Sequence, residues 1–149
     1  MKLNTQIRFG VRALFDIAYH NNGGPTRIAS IAKRQKLSPD YLEQIFKKLR
    51  NTRILEGKKG PGGGYYLARR PEKITLREVI QAIDGPIDLV FCVGQLETGV
   101  EKCSLSKKCI TTYIWKELSD NISTFFDSIT ISDLCRRAEK QGIIKEPDV

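Results

Sequence analysis

Three cysteines, Cys92, Cys103 and Cys109, fall in one stretch that otherwise reads as loop, and a fourth, Cys135, stands apart. Ten residues separate the first two and five the next two. That spacing has no pair of Cys-x-x-Cys knuckles, which argues against a zinc ribbon. Three thiolates in a loop can instead supply three of the four ligands an iron-sulfur cluster usually takes, and Lys102, Lys107 and Lys108 stand nearby to lower the thiol pKa values. Thiol redox switching is the other use of the same residues. Cys135 lies on the inward side of a helical pattern, where a buried free cysteine is ordinary. His20, the single histidine, ends a helix, where a cation favours the C-terminal dipole; that reads as capping rather than ligation.

The second stretch able to do chemistry runs from Ser38 to Arg70. Ser38 suits an N-cap, Pro39 the first helical position, and Asp40 the positive dipole end. Leu42, Ile45, Phe46 and Leu49 then recur at helical spacing, leaving Asp40, Tyr41, Glu43, Gln44, Lys47 and Lys48 outside. Gln44 can pair bidentately with adenine and Glu43 can accept from cytosine N4, while Lys47, Lys48 and Arg50 suit phosphates. An acid facing a phosphate-rich groove is costly unless a base donor meets it, so Glu43 is a discriminator as well as a contact. Tyr41 fits either a phosphate contact or packing on the first helix.

Two strand-like runs, Ile54-Leu55-Glu56 and Tyr65-Tyr66-Leu67, flank a tip containing Lys58, Lys59, Gly62, Gly63 and Gly64. A tip with so little side-chain bulk lets backbone N–H groups and the lysines approach a phosphate closely. It lacks the Gly-Lys-Ser/Thr ending of a nucleotide-binding loop, and no helix follows it.

These residues need elements to hold them. Apolar positions from Ile7 to Ala18 predict a helix over Thr5 to His20, ended by Asn21 to Pro25. A short helical segment, Arg27 to Arg34, precedes the helix of Pro39 to about Arg50, and the pair makes a helix-turn-helix pattern. Thr75 and Glu78 fit a capping box for a helix whose Leu76, Val79, Ile80 and Ile83 pack back on this unit. From Ile110 to Ile129 the apolar stripe of Ile110, Ile114, Leu118, Ile122, Phe125 and Ile129, widened by Tyr113, Trp115 and Phe126, exceeds what a small domain can cover. Pairing with a second copy is the expectation, and packing within one subunit the alternative. A last helix, Ile131 to Gln141, and a polar tail follow.

The predicted architecture is mainly α. A winged helix-turn-helix DNA-binding domain spans 1–86, a cysteine-containing sensor loop 87–109, a dimerisation helix and terminal helix 110–141, and a tail 142–149. The chain of 149 residues carries net charge +8, unevenly distributed. Residues 1–75 hold 16 Lys/Arg against 5 Asp/Glu, and residues 76–149 hold 9 against 12. A basic first half fits double-stranded DNA, although a solvated basic face gives the same count. No window approaches the roughly eighteen apolar residues of a membrane span, and the chain reads as cytoplasmic. An enzyme is disfavoured, because there is no Cys-x-x-Cys pair, no phosphate-binding loop and no histidine near the cysteines.

RFGVRALFDIA near the start, SPDYLEQIFKKLR, the GPGGGYYL wing, EVIQAIDGPID and three cysteines before a long helix together make the sequence resemble one family. It is the IscR/NsrR/CymR family of bacterial winged-helix transcription regulators, several of which carry an iron-sulfur cluster. The resemblance covers Met1 to about Ile129 and implies a dimer with recognition helices in successive major grooves and wings in flanking minor grooves. It also implies a 2Fe-2S or 4Fe-4S cluster on Cys92, Cys103 and Cys109, and a role for Glu43 in separating operator classes. This chain departs from its relatives in several places. Thr112 stands where cluster-assembly regulators have a histidine, Arg8 where others have an acid, and Lys59 where an arginine is usual; the first two cysteines are also further apart. The fourth ligand stays open among Glu97, Glu101, Thr112, Cys135 and a small exogenous molecule. A cluster with one labile ligand suits a sensor of iron, oxygen or nitric oxide.

Overall fold

The computed structural model describes residues 3–90, 92–93, 103–105 and 108–147. Six helices and one hairpin follow in the order α1 (Thr5–Asn21), α2 (Ile28–Gln35), α3 (Pro39–Asn51), β1 (Leu55–Lys58), β2 (Gly64–Leu67), α4 (Leu76–Asp84), α5 (Thr111–Asp127) and α6 (Ile131–Lys140). The expected helices and strands are all present, with ends shifted by no more than two residues.

Local chemistry explains most boundaries. Asn4 caps α1 by accepting from the Ile7 N–H at 3.0 Å. Asn22 ends α1 in the left-handed conformation, and the Gly23 N–H returns to the Ile17 carbonyl at 3.0 Å. The capping box of Thr75 and Glu78 opens α4, and a second one, of Thr130 and Asp133, opens α6.

The core forms where α1, α3 and α4 meet, with Leu14, Ile17, Leu42, Ile45, Phe46, Leu49, Val79 and Ile83 buried together. Each such side chain contributes about 1.5–3 kcal/mol of burial. Gly10 permits the close approach, since a Cβ there would collide with Ile83 Cδ1 and lie 3.2 Å from Ile45 Cγ2. Asp16 ties α1 to α2. Fully buried, its carboxylate accepts from Arg34 Nη2 at 2.7 Å, Arg34 Nε at 3.1 Å and Gln35 Nε2 at 2.8 Å.

Helix α6 also packs on α1, so the terminal helix and the head share one core, with Ile131 fully buried in it. The tail, expected as a fading polar end, is instead strapped along α1. Tyr19 Oη donates to the Ile143 carbonyl at 2.5 Å, and the Glu146 N–H donates to His20 Nδ1 at 2.9 Å. That corrects the reading of His20 as a cationic cap. Its Nδ1 is an acceptor, and burial lowers its pKa, so the neutral ring is the form held here. Asp16 and Glu146 pull the other way and Arg34 and Lys145 add to the lowering, all more weakly than burial.

Candidate nucleic-acid interface and cysteine loop

Ser38 caps α3, its Oγ accepting from the Tyr41 N–H at 3.5 Å. From that cap the helix presents Asp40, Glu43, Gln44, Lys47 and Arg50 to solvent, on the side opposite Leu42, Ile45, Phe46 and Leu49. Tyr41 is half-buried against Phe9 of α1, edge-on, with ring centroids 5.8 Å apart. Packing on the first helix is thus its observed role.

Lys48 does not stand with the others. Its Nζ donates to Gln6 Oε1 at 2.7 Å and to the Ile83 carbonyl at 3.0 Å. The residue lies at the edge of the apolar stripe, and its flexible stem carries the ammonium back to α1 and the end of α4. It is a brace between helices rather than an outward phosphate donor.

The wing is built as a hairpin with register Leu55↔Leu67, Glu56↔Tyr66, Gly57↔Tyr65 and Lys58↔Gly64. Thr26 bridges to Tyr65 through two backbone hydrogen bonds of 2.8 Å, fastening the wing to the segment before α2. At the tip the Gly63 N–H returns to the Gly60 carbonyl at 3.0 Å across Pro61 and Gly62, whose φ of +71° fits a type II turn. Glycine at the next two positions is required by the fold itself. A Cβ at Gly63 would strike the Lys58 carbonyl, and one at Gly64 would lie 2.5 Å from the Thr26 backbone. Of the three glycines, only Gly62 points its bare Cα into open space. Lys58 and Lys59 are exposed beside it.

Between the end of α3 and β1 lies an open cleft of about 490 Å³, lined by Lys47, Arg50, Asn51, Arg53, Leu55, Glu56 and Gly57. Asn51 and Arg53 are not singled out by sequence reasoning, because the strand that closes the cleft is not adjacent to them in any periodic pattern.

Cys92, Cys103 and Cys109 are each partly exposed, and Cys109 lies two residues before the first residue of α5. The Cys109 thiol is lowered to about 7. The largest cause is the Thr111 hydroxyl, 3.0 Å from the sulfur, followed by the Thr111 N–H and the Thr112 hydroxyl, while desolvation opposes. The Thr112 hydroxyl is buried and makes no well-aligned hydrogen bond. Cys135 is the opposite case, its thiol pushed up to about 11 by burial, which argues against ligation. Lys102, Lys107, Glu97 and Glu101 lie outside the described residues. Among the described residues no three His, Cys, Asp or Glu side chains gather at metal-holding distance. In kind, three accessible thiols with one predisposed to thiolate fit an iron-sulfur cluster, one ligand short of four. The loop's start is anchored on α5, where the Leu89 N–H donates to Ser119 Oγ at 3.3 Å.

Residues 3–137 match the family model Rrf2, described as iron-dependent transcriptional regulator. The chain belongs to this family. Rrf2 members are DNA-binding transcription regulators and not enzymes. The chain is 38% identical over 143 residues to the HTH-type transcriptional regulator IscR of Aliivibrio salmonicida, covering 96% of this chain and 82% of that one. It is 37% identical over 148 residues to IscR of Photorhabdus laumondii, covering 99% and 87%. Among solved structures it is similar to T. potens IscR, with TM-score 0.74, 32% identity and 98% and 94% of the two chains covered. It is also similar to CymR, the global cysteine regulator of B. subtilis, with TM-score 0.72, 31% identity and 92% and 98% covered. No described helix is long and apolar enough to cross a membrane.

Proposed function

We propose that this Rrf2 chain is a homodimeric, sequence-specific transcription regulator whose hold on its operator is controlled by an iron-sulfur cluster on Cys92, Cys103 and Cys109. The observation that carries the DNA-reading half is the exposed row Glu43, Gln44, Lys47 and Arg50 on a capped helix beside a lysine-bearing wing. In this reading α3 enters the major groove, where Gln44 reads adenine and Glu43 tests for a cytosine amino group. Lys47 and Arg50 hold phosphates, and Lys59 reaches the flanking minor groove. Ser38 caps the helix end that enters, its hydroxyl lying where it could also meet a phosphate, and Asp40 supports the dipole of the same end. Lys59 keeps the charge of the usual arginine without its planar fork, so minor-groove selectivity is weaker.

The dimer reading is supported by α5 and the residue before it, where Ile110, Tyr113, Ile114 and Phe125 are 78%, 74%, 57% and 60% exposed. An apolar groove of about 290 Å³, lined by Leu3, Ile87, Asn121, Ile122, Phe125 and Phe126, adjoins it. A second copy supplies the cover such a face needs. The cluster would make the charge held at Cys92, Cys103 and Cys109 depend on iron supply or oxidation state. In sequence the three cysteines lie between α4, which packs on α1 and α3, and α5, and this is the route by which a change there would reach the head. The reduced thiols this requires are those of a cytoplasm.

The relatives named IscR and the thiolate tendency of Cys109 support the cluster. Anaerobic purification, iron and sulfide analysis and a visible spectrum test it. Brown protein whose absorption is lost in Cys92→Ala is the expected result, and colourless, iron-free protein sinks the idea. A second reading is a cluster-free regulator answering to thiol redox state or a partner protein. It is favoured by the likeness to CymR and by Cys109 being half-ionised near neutral pH without any metal.

A further inference from the structure

Recognition helix α3 ends on an unusual residue. The chain leaves the helix at Thr52, and Arg53 then takes the left-handed conformation, with φ +56°. The Arg53 N–H returns to the Arg50 carbonyl at 3.0 Å and the Ile54 N–H to the Leu49 carbonyl at 3.1 Å, a closing turn in which glycine is the residue without steric penalty. An arginine there is a poor choice for the backbone, and strained positions of this kind concentrate where the side chain has a task.

That side chain lines the cleft between α3 and β1, together with Lys47, Arg50 and Asn51. Three cations and an amide therefore converge on one open depression. On the strand side the wall at Gly57 carries no side chain, and a Cβ there would lie 4.0 Å from the Arg50 guanidinium carbon. Glycine keeps the floor beside Arg50 clear. The one acid on the rim, Glu56, is engaged by the Tyr66 hydroxyl at 2.6 Å. The negative end of the α3 dipole opposes an anion at this place, and three full positive charges outweigh a partial one.

We infer that this cleft is a phosphodiester site, with Arg53 as one of its donors. It seats the DNA strand that separates the major groove entered by α3 from the minor groove entered by the wing. A helix and a wing in neighbouring grooves must straddle one sugar-phosphate strand, and this cleft is the gap between them. The inference rests on the proposed DNA-reading function and adds to it a contact that fixes register without reading sequence.

The test uses the full chain and a duplex that the wild-type protein selects from a random-sequence pool. Affinity is measured by anisotropy over a range of salt, and thermal unfolding is recorded alongside. Arg53→Gly is expected to melt at or above the wild-type temperature, because glycine relieves the left-handed backbone. Its affinity falls about tenfold, as loss of one charge-assisted phosphate contact implies. Its log K against log salt slope becomes shallower by about 0.9 for each subunit bound. Arg53→Lys restores most of the slope, and Arg53→Asn, which also tolerates left-handed backbone, behaves like the glycine variant. An Arg53→Gly protein with unchanged affinity and slope beside a steeply salt-dependent wild type overturns the cleft alone. A wild type without salt-dependent duplex binding overturns the cleft and the function beneath it together.

Discussion

Gln44 and Glu43 sit side by side on α3, both exposed. Gln44→Ala removes a bidentate base contact and should cost about 1–3 kcal/mol on a selected duplex, relaxing preference at one base pair only. Competition by duplexes randomised one position at a time checks this, and a loss spread evenly over all positions would place Gln44 among the phosphate contacts instead. Lys48 was less legible. Its neighbours Lys47 and Leu49 lie clearly outside and inside, and a residue between them can be turned either way by partners, here Gln6 and Ile83, that come from distant sequence. The cysteines differ in the same way. In iron-free protein, alkylation of Cys109 should rise with a midpoint near pH 7, while Cys135 stays unreactive until about pH 11. Peptide mapping after iodoacetamide treatment reads both, and Thr111→Val should move the Cys109 midpoint upward by removing its main hydrogen bond. Equal reactivity of the two thiols would contradict the assignment.

At the scale of elements, α3 was readable because cap, proline, first-turn acid and apolar spacing all agree within thirteen residues. The wing was readable from its glycines, although the reason for two of them was not. Gly63 and Gly64 answer to the Lys58 carbonyl and the Thr26 backbone, contacts that exist only after folding. The strap formed by the tail was not legible at all, since Ile143 and Glu146 meet Tyr19 and His20 across more than a hundred residues of sequence. It makes a pH prediction. The folded chain lowers the His20 pKa below its ordinary 6.5, so the unfolded state binds the extra proton first as pH falls. Stability from this group is therefore complete above about pH 6.5 and declines below it, down to the folded pKa. Thermal melts from pH 7.5 downward should show that decline in wild type, with a smaller one in His20→Gln. Identical pH profiles would mean that His20 is not held neutral by the strap.

The whole molecule joins a basic head to a mildly acidic half whose long helix has only Ser119 buried among its seventeen residues. Such a face predicts association. Ile114→Glu together with Leu118→Glu should convert a dimer to a folded monomer by light scattering, with helix content preserved and duplex affinity sharply reduced. A wild-type monomer at the concentrations that bind DNA would contradict the dimer. That exposed stripe was visible in sequence because its spacing is regular over five turns, whereas the cysteine loop has no period and its ligand geometry could not be read. The proposed regulation joins the two halves, with the state of Cys92, Cys103 and Cys109 setting what the head would bind. The most direct measurement is duplex affinity of anaerobically purified protein before and after its iron is removed by a chelator. Iron removal is expected to change the affinity, or the sequences selected from a random pool, and Cys92→Ala to abolish the difference. Identical affinity and identical selected sequences in the iron-loaded and iron-free forms would contradict the proposed regulation.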